Sequence, residues 1–110
     1  MGPINKTVLY QNYPNPFSIS TTISFLATDL NRFSPLDSKH LTGQAQIKIY
    51  NIKGQLVRIL TPMTNDQCQM TNVVWDGKDY SGKLVSNGIY FYQLESKNYK
   101  SEIKKMILLR

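Results

Sequence analysis

No stretch of ten or more residues in this chain repeats its apolar positions with the period of a helix. Short runs rich in Val, Ile, Thr, Tyr and Phe recur instead, separated by clusters of Gly, Asn, Asp, Pro and Ser. Such runs send alternate side chains to the two faces of a sheet, and the clusters between them supply the backbone angles that turns require. The pattern confines the chain to an all-β fold. Strands are expected at Thr7–Gln11, Ile19–Ala27, Ala45–Ile52, Gln55–Thr61, Asn72–Asp76, Ile89–Ser96 and Tyr99–Leu109.

The faces follow from the alternation. Ile23 and Phe25, Ile47 and Ile49, Val73 and Trp75, and Tyr90, Tyr92 and Leu94 are the expected inward sets. In the last strand Ile103, Ile107 and Leu109 compete with Met106 and Leu108, so a bulge or burial on both faces is expected there. Lys53-Gly54 reads as a hairpin turn and Lys97-Asn98 as another. Asn12-Tyr13-Pro14-Asn15-Pro16-Phe17 reads as a rigid extended crossover, because neither proline can donate to a ladder, with Phe17 as its anchor. Residues 28–43 and 62–70 are expected loops. With 110 residues, 41% of them apolar and 11% aromatic, the chain suits one domain with a packed core. The expected architecture is an immunoglobulin-like β-sandwich of about seven antiparallel strands over residues 4–110, with Met1-Gly2-Pro3 left outside the domain.

Candidate chemistry is sparse. His40 is the sole histidine and lies in a polar loop, without an acid or nucleophile near it in sequence. Cys68 is the sole cysteine, which excludes an internal disulfide and speaks against a zinc site. Asp76, Asp79 and Ser81 lack the spacing of a calcium loop and are expected to close turns onto their own backbone, with Gly77 and Gly82 in positive-φ positions. The glycines form no phosphate cradle. The reading is therefore a non-enzyme with no cofactor and no metal. No apolar run reaches the ~18 residues of a membrane helix, and the first residues lack the pattern of a signal peptide.

The net charge is +6, and Lys97–Arg110 holds five basic residues (Lys97, Lys100, Lys104, Lys105, Arg110) against the single acid Glu102. A nucleic-acid binder would add a reading helix or an aromatic base-stacking run, and neither is present. The surplus reads as a charged strand face or a tail that docks a partner.

Four segments carry a resemblance. The first is Leu9-Tyr10-Gln11-Asn12-Tyr13-Pro14-Asn15-Pro16-Phe17 with Ser20–Phe25. The second is Ile49–Arg58, the third Val74–Asp79 with Gly82-Lys83 and Ser86–Tyr92, and the fourth Lys104-Lys105-Met106-Ile107-Leu108-Leu109-Arg110. Together, in this order, they resemble the type A C-terminal sorting domain of type IX secretion substrates in Bacteroidota, a relative of the Ig-like domain of flagellar hook-capping proteins. The resemblance implies a domain fused behind an N-terminal cargo domain. It would direct that cargo through the periplasm and across the outer membrane to a secreted or cell-surface location. A sortase-like peptidase would then remove it, with the cargo released or joined to surface lipopolysaccharide. By position, the elements recognised by the secretion machinery would be Pro14, Asn15, Pro16 and Phe17; Gly88 and Tyr90; and Lys104, Lys105, Met106, Ile107, Leu108, Leu109 and Arg110. A closing strand of this composition could be offered to a receptor by edge pairing, with its charges steering the approach. Two rival readings remain: a carbohydrate- or surface-binding accessory module using Tyr80, Tyr99 or the long loop, and a hook-cap-like structural domain.

Overall fold

Alternation of residue type becomes alternation of burial in the structure, a computed structural model that describes residues 7–27, 45–62, 70–96 and 99–110. Strand β1 spans Thr7–Leu9 and β2 spans Thr21–Ala27; β2 buries Thr21, Ile23 and Phe25 and turns Thr22, Ser24 and Leu26 away from the core. Strand β3 (Gln46–Tyr50) buries Ile47 and Ile49, and β4 (Leu56–Leu60) buries Val57 and Leu60. Strand β5 (Met70–Trp75) ends in the fully buried Trp75. Strand β6 (Gly88–Ser96) buries Tyr90, Tyr92 and Leu94, and β7 (Tyr99–Lys100) and β8 (Lys104–Leu108) follow it.

Strands β1, β2 and β5 form one antiparallel sheet, in the order β1-β2-β5. The other runs β4-β3-β6, with β7 and β8 laid end to end along the far side of β6. Side chains from both sheets share one buried cluster, including Ile23, Phe25 and Trp75 from the first and Ile47, Tyr92, Met106 and Leu108 from the second. Each such large side chain contributes roughly 1.5–3 kcal/mol on burial. With β7 and β8 counted as one interrupted strand, this is the expected seven-stranded Ig-like sandwich, and no helix occurs among the described residues.

Two irregularities adjust the faces. Between Ile49↔Arg58 and Tyr50↔Leu56 the register shifts by one, so Val57 is an extra residue on β4. That bulge lets Val57 and Leu60, three positions apart, both face the core. The second lies between β7 and β8. Glu95 pairs Lys100 and Tyr92 pairs Lys104, so Ser101, Glu102 and Ile103 oppose only Gln93 and Leu94. Ser101 fills the gap in the ladder: its N–H donates to Leu94 O at 2.9 Å, and its Oγ accepts from Leu94 N at 3.0 Å. The expected strand Tyr99–Leu109 is thus two pieces joined at a bulge of the kind expected there, and Met106 and Leu108 take the inward face while Ile103 and Leu109 are exposed. The expected loop over 28–43, with His40, lies outside the described residues. So do the part of the second loop that carries Cys68 and the Lys97-Asn98 turn.

Candidate recognition site

The segment between β1 and β2 is held by side chains because its prolines cannot use the ladder. Asn12 is buried; its Nδ2 donates to Thr21 Oγ1 (2.9 Å) and Pro14 O (3.1 Å), and its backbone N–H donates to the Tyr92 hydroxyl at 2.8 Å. That hydroxyl donates in turn to Tyr10 O at 2.7 Å, and burial pushes the Tyr92 phenol up to about 12. Tyr13 pairs with Thr22 through two 2.9 Å backbone bonds. Beyond it the chain bends over residues 14–16 and does not cross in extended form, a correction to the sequence reading; both the Tyr13–Pro14 and Asn15–Pro16 bonds are cis. The bend sets Phe17 into the core as the expected anchor, with its ring 5.7 Å from Trp75, which meets Tyr90 edge-on at 5.4 Å.

This segment lies on β8. Phe17 N–H donates to Ile107 O, Leu109 N–H donates to Phe17 O and Ile107 N–H donates to Asn15 Oδ1, each at 2.9 Å. Gln11 Nε2 donates to Lys105 O at 2.7 Å. The opposite side of β8 pairs with β6, Gly88 against Leu108 and Tyr90 against Met106. Residues 11–17, Gly88–Tyr90 and Lys104–Arg110, far apart in sequence, therefore meet at one margin of the larger sheet. The expectation that β8 offers its edge to another chain is corrected: both of its edges are occupied within the fold. What remains open is its outer face, where Lys105 and Leu109 are exposed and Ile107 is half-buried. Lys105 forms no ion pair with a described residue, whereas Lys104 meets Glu102 at 2.9 Å. Pro14 and Pro16 are exposed, and Tyr90 is buried with its hydroxyl donating to Ser86 O at 2.7 Å.

The outer face continues across the sheet. Lys105 stands beside Phe91, Phe91 beside Tyr50 and Tyr50 beside Leu56; Ile107 stands beside Ile89. Deeper along β3, the Glu95 carboxylate 3.0 Å from Lys48 raises the Lys48 ammonium above its ordinary range. The face is apolar at the Ile89–Phe91 end, with Lys105 at its margin, and becomes polar toward Gln46, Lys48, Gln93 and Glu95.

Arg110 closes the site from the far end. Its N–H donates to Asn87 Oδ1 at 3.0 Å, and its guanidinium donates to Val85 O and, at 3.2 Å, to Gly77 O. Gly77 has φ +74°, and a Cβ there would stand 2.8 Å from Arg110 Nη2. Gly77, Val85 and Gln11 were not singled out as site residues from the sequence. The signal for Gly77 and Asn87 is their place in the Val74–Asp79 and Ser86–Tyr92 segments, whose local pattern does not show that they meet the strand end. Beside them, Asp79 closes its own turn as expected; hydrogen bonds from the Ser81 hydroxyl and from the Lys83 and Ser81 N–H groups hold its carboxyl below the usual range. Two adjoining grooves of about 490 and 540 Å³ run between the Asn51–Gln55 turn and residues 79–90, near the exposed Tyr80. No cluster of three metal-ligating side chains occurs among the described residues.

Comparison with known proteins agrees with this architecture. A search of curated proteins finds no match. Among solved structures, the chain is similar to dimeric latent PorU from Porphyromonas gingivalis (TM-score 0.71, 24% identity), with 99% of this chain covering 10% of that one. It is similar to PorZ of the same organism, described as an essential bacterial surface component of the type-IX secretion system, with TM-score 0.57 and 18% identity over 93% of this chain and 11% of that one. The sensor domain of the anti-sigma factor RsgI4 from Pseudobacteroides cellulosolvens matches at TM-score 0.51 and 9% identity, over 96% of this chain and 76% of that one. The chain thus spans about a tenth of the two Porphyromonas proteins, and these likenesses establish the fold. The family model for the FlgD Ig-like domain matches residues 35–100, stopping short of both the Pro14–Phe17 bend and β8. That match covers more than half of the sequence, and the chain belongs to the FlgD Ig-like domain family.

Proposed function

We propose that this domain is a non-catalytic C-terminal sorting signal of the type IX secretion system. It carries an N-terminal cargo domain across the outer membrane and is then removed by a sortase-like peptidase, leaving the cargo secreted or attached to surface lipopolysaccharide. The observation that carries this reading is the convergence of the three motif segments, residues 14–17, 88–90 and 104–110, at one sheet margin. The fold likeness to PorZ adds support. Since the β8 edges are occupied, recognition rests on side chains. The exposed Lys105 beside Phe91 and Ile107 fits a receptor surface that is apolar with carboxylates, because charge complementarity steers encounter while apolar contact supplies affinity.

The test fuses residues 1–110 to a periplasmic reporter in a type IX-competent host. Deleting Lys104–Arg110 abolishes export, but it also removes two core side chains. Lys105→Glu is therefore the sharper variant: export falls severalfold while the domain's thermal melt is unchanged. Wild-type export by both variants would sink the reading.

The grooves beside Tyr80 favour a second reading as a carbohydrate-binding accessory module, since exposed tyrosine next to amide side chains is the chemistry of sugar stacking and hydroxyl recognition. Saturable glycan binding lost in Tyr80→Ala, with export untouched by Lys105→Glu, would favour it.

A further inference from the structure

Strand β8 and the two residues after it are built of near-duplicate neighbours: Lys104 and Lys105, Met106 and Ile107, Leu108 and Leu109, then the unpaired Arg110. Strand side chains alternate with a period of two, so a slip of one residue exchanges the two faces. Here a slip that placed Lys105, Ile107 and Leu109 where Lys104, Met106 and Leu108 now stand would bury equivalent residues. The backbone bonds from Asn15 and Phe17 to Ile107 and Leu109 would serve Leu108 and Arg110 as well, since they read no side chain of β8. The slack exists too: Ser101–Ile103 already form a three-against-two bulge, which would take up one more residue. Hydrophobic pattern and ladder therefore leave the register nearly degenerate.

We propose that Arg110 sets the register of β8 and so decides which face the strand displays. In the observed register Arg110 shares the inward parity of Met106 and Leu108, and its guanidinium reaches two carbonyls, Gly77 O and Val85 O, on segments outside β6 and β8. Gly77 is the residue that leaves room for it. A one-residue slip moves Arg110 by about 3.3 Å and turns it to the opposite face, losing both carbonyls. Arg110 is thus a positioning residue, and Lys105, Ile107 and Leu109 are the displayed ones. The functional consequence rests on the sorting reading above; the register assignment does not.

The experiment compares residues 1–110 as wild type, Arg110→Ala, Arg110→Lys and the double variant Arg110→Ala/Leu109→Asp. NMR reads which β8 residue stands across from Ile89, and the reporter fusion reads export. Wild type gives one set of signals, with Ile107 opposite Ile89. Arg110→Ala gives a second set with Leu108 there, and Arg110→Lys, with one donor head in place of a fork, gives a smaller second population. Leu109→Asp penalises the slipped form, in which position 109 is buried, and restores a single set. A single wild-type register in Arg110→Ala overturns the proposal. Export falling in proportion to the slipped population supports the link to sorting. A shifted register with unchanged export leaves Arg110 as the register key and sinks the sorting reading instead.

Discussion

The two outer strands of the larger sheet are treated in opposite ways. Strand β8 is slotted between β6 and the Gln11–Phe17 segment, so its backbone groups are used on both sides. Strand β4 is paired on one side by β3, and no described strand lies along its other side. It carries instead a bulge at Val57 and the Arg58–Asp76 ion pair at 3.2 Å, both devices that discourage another strand from adding on. The difference teaches where information can reside. A strand closed on both edges can be read only through its side chains, whereas an open edge must be guarded against indiscriminate pairing.

Truncation in the slotted strand tests the contrast most strongly. Leu108 has no exposed surface, and Leu108→Ala is expected to cost about 2–5 kcal/mol in urea unfolding. Ile59 on β4 is 36% exposed, and Ile59→Ala is expected to cost less than about 1 kcal/mol. Equal losses would mean that the two edges are equally integral to the core.

The slot also depends on the tyrosine that carries its near wall. Tyr92→Phe leaves Asn12 N–H and Tyr10 O without their partner and should cost about 1–3 kcal/mol. It should also change the alkaline limb of stability. The Tyr92 phenol is raised to about 12, above its ordinary value near 10, so its contribution is complete below pH 10 and is lost as pH climbs through about 12. Unfolding free energies measured between pH 9 and pH 12 should fall less steeply in Tyr92→Phe. An unchanged slope would remove Tyr92 from the account of the slot.

Asn15→Ala tests the far wall. It frees the Ile107 amide while leaving the Phe17 bonds in place, so the expected cost is about 1 kcal/mol. Hydrogen exchange should quicken at Ile107 and not at Gln93, which pairs with Lys48 of β3 on the other side of β6. Uniform acceleration would show that the wall acts on the whole sheet and not on one edge.

Much of this arrangement was legible in the sequence. The inward sets of β2, β3 and β6 follow from strict alternation, and Phe17 and Trp75 were apparent as large apolar residues beside turn signals. The closed edge of β8 was not, because it depends on Asn15 and Gln11 side chains acting across more than ninety residues, and local pattern carries no such pairing. The Arg110 seat was hidden for the same reason: Gly77 looked like a turn glycine, which it is, and its second use appears only when the strand end is brought against it. Alternation does not decide the face taken by β8, because its two sets are near-equal, and that degeneracy is a physical property of the strand itself.

The smallest effect on stability is expected at the open edge. Arg58 donates to Asp76 Oδ1 at 3.2 Å and to Lys78 O at 2.9 Å from a partly exposed position, and exposed pairs of this kind contribute at most about 1 kcal/mol. Arg58→Ala should therefore barely move the unfolding midpoint. Its consequence lies in association: without this charge on the edge strand, only the Val57 bulge stands against a second copy pairing with β4. Sedimentation velocity over a hundredfold concentration range should show a dimer in Arg58→Ala that grows with concentration and is absent in Leu109→Ser, a substitution at the residue that follows the slotted strand. If Leu109→Ser dimerised and Arg58→Ala did not, the closed edge would be the one at β4, and the contrast between the two strands would have to be reversed.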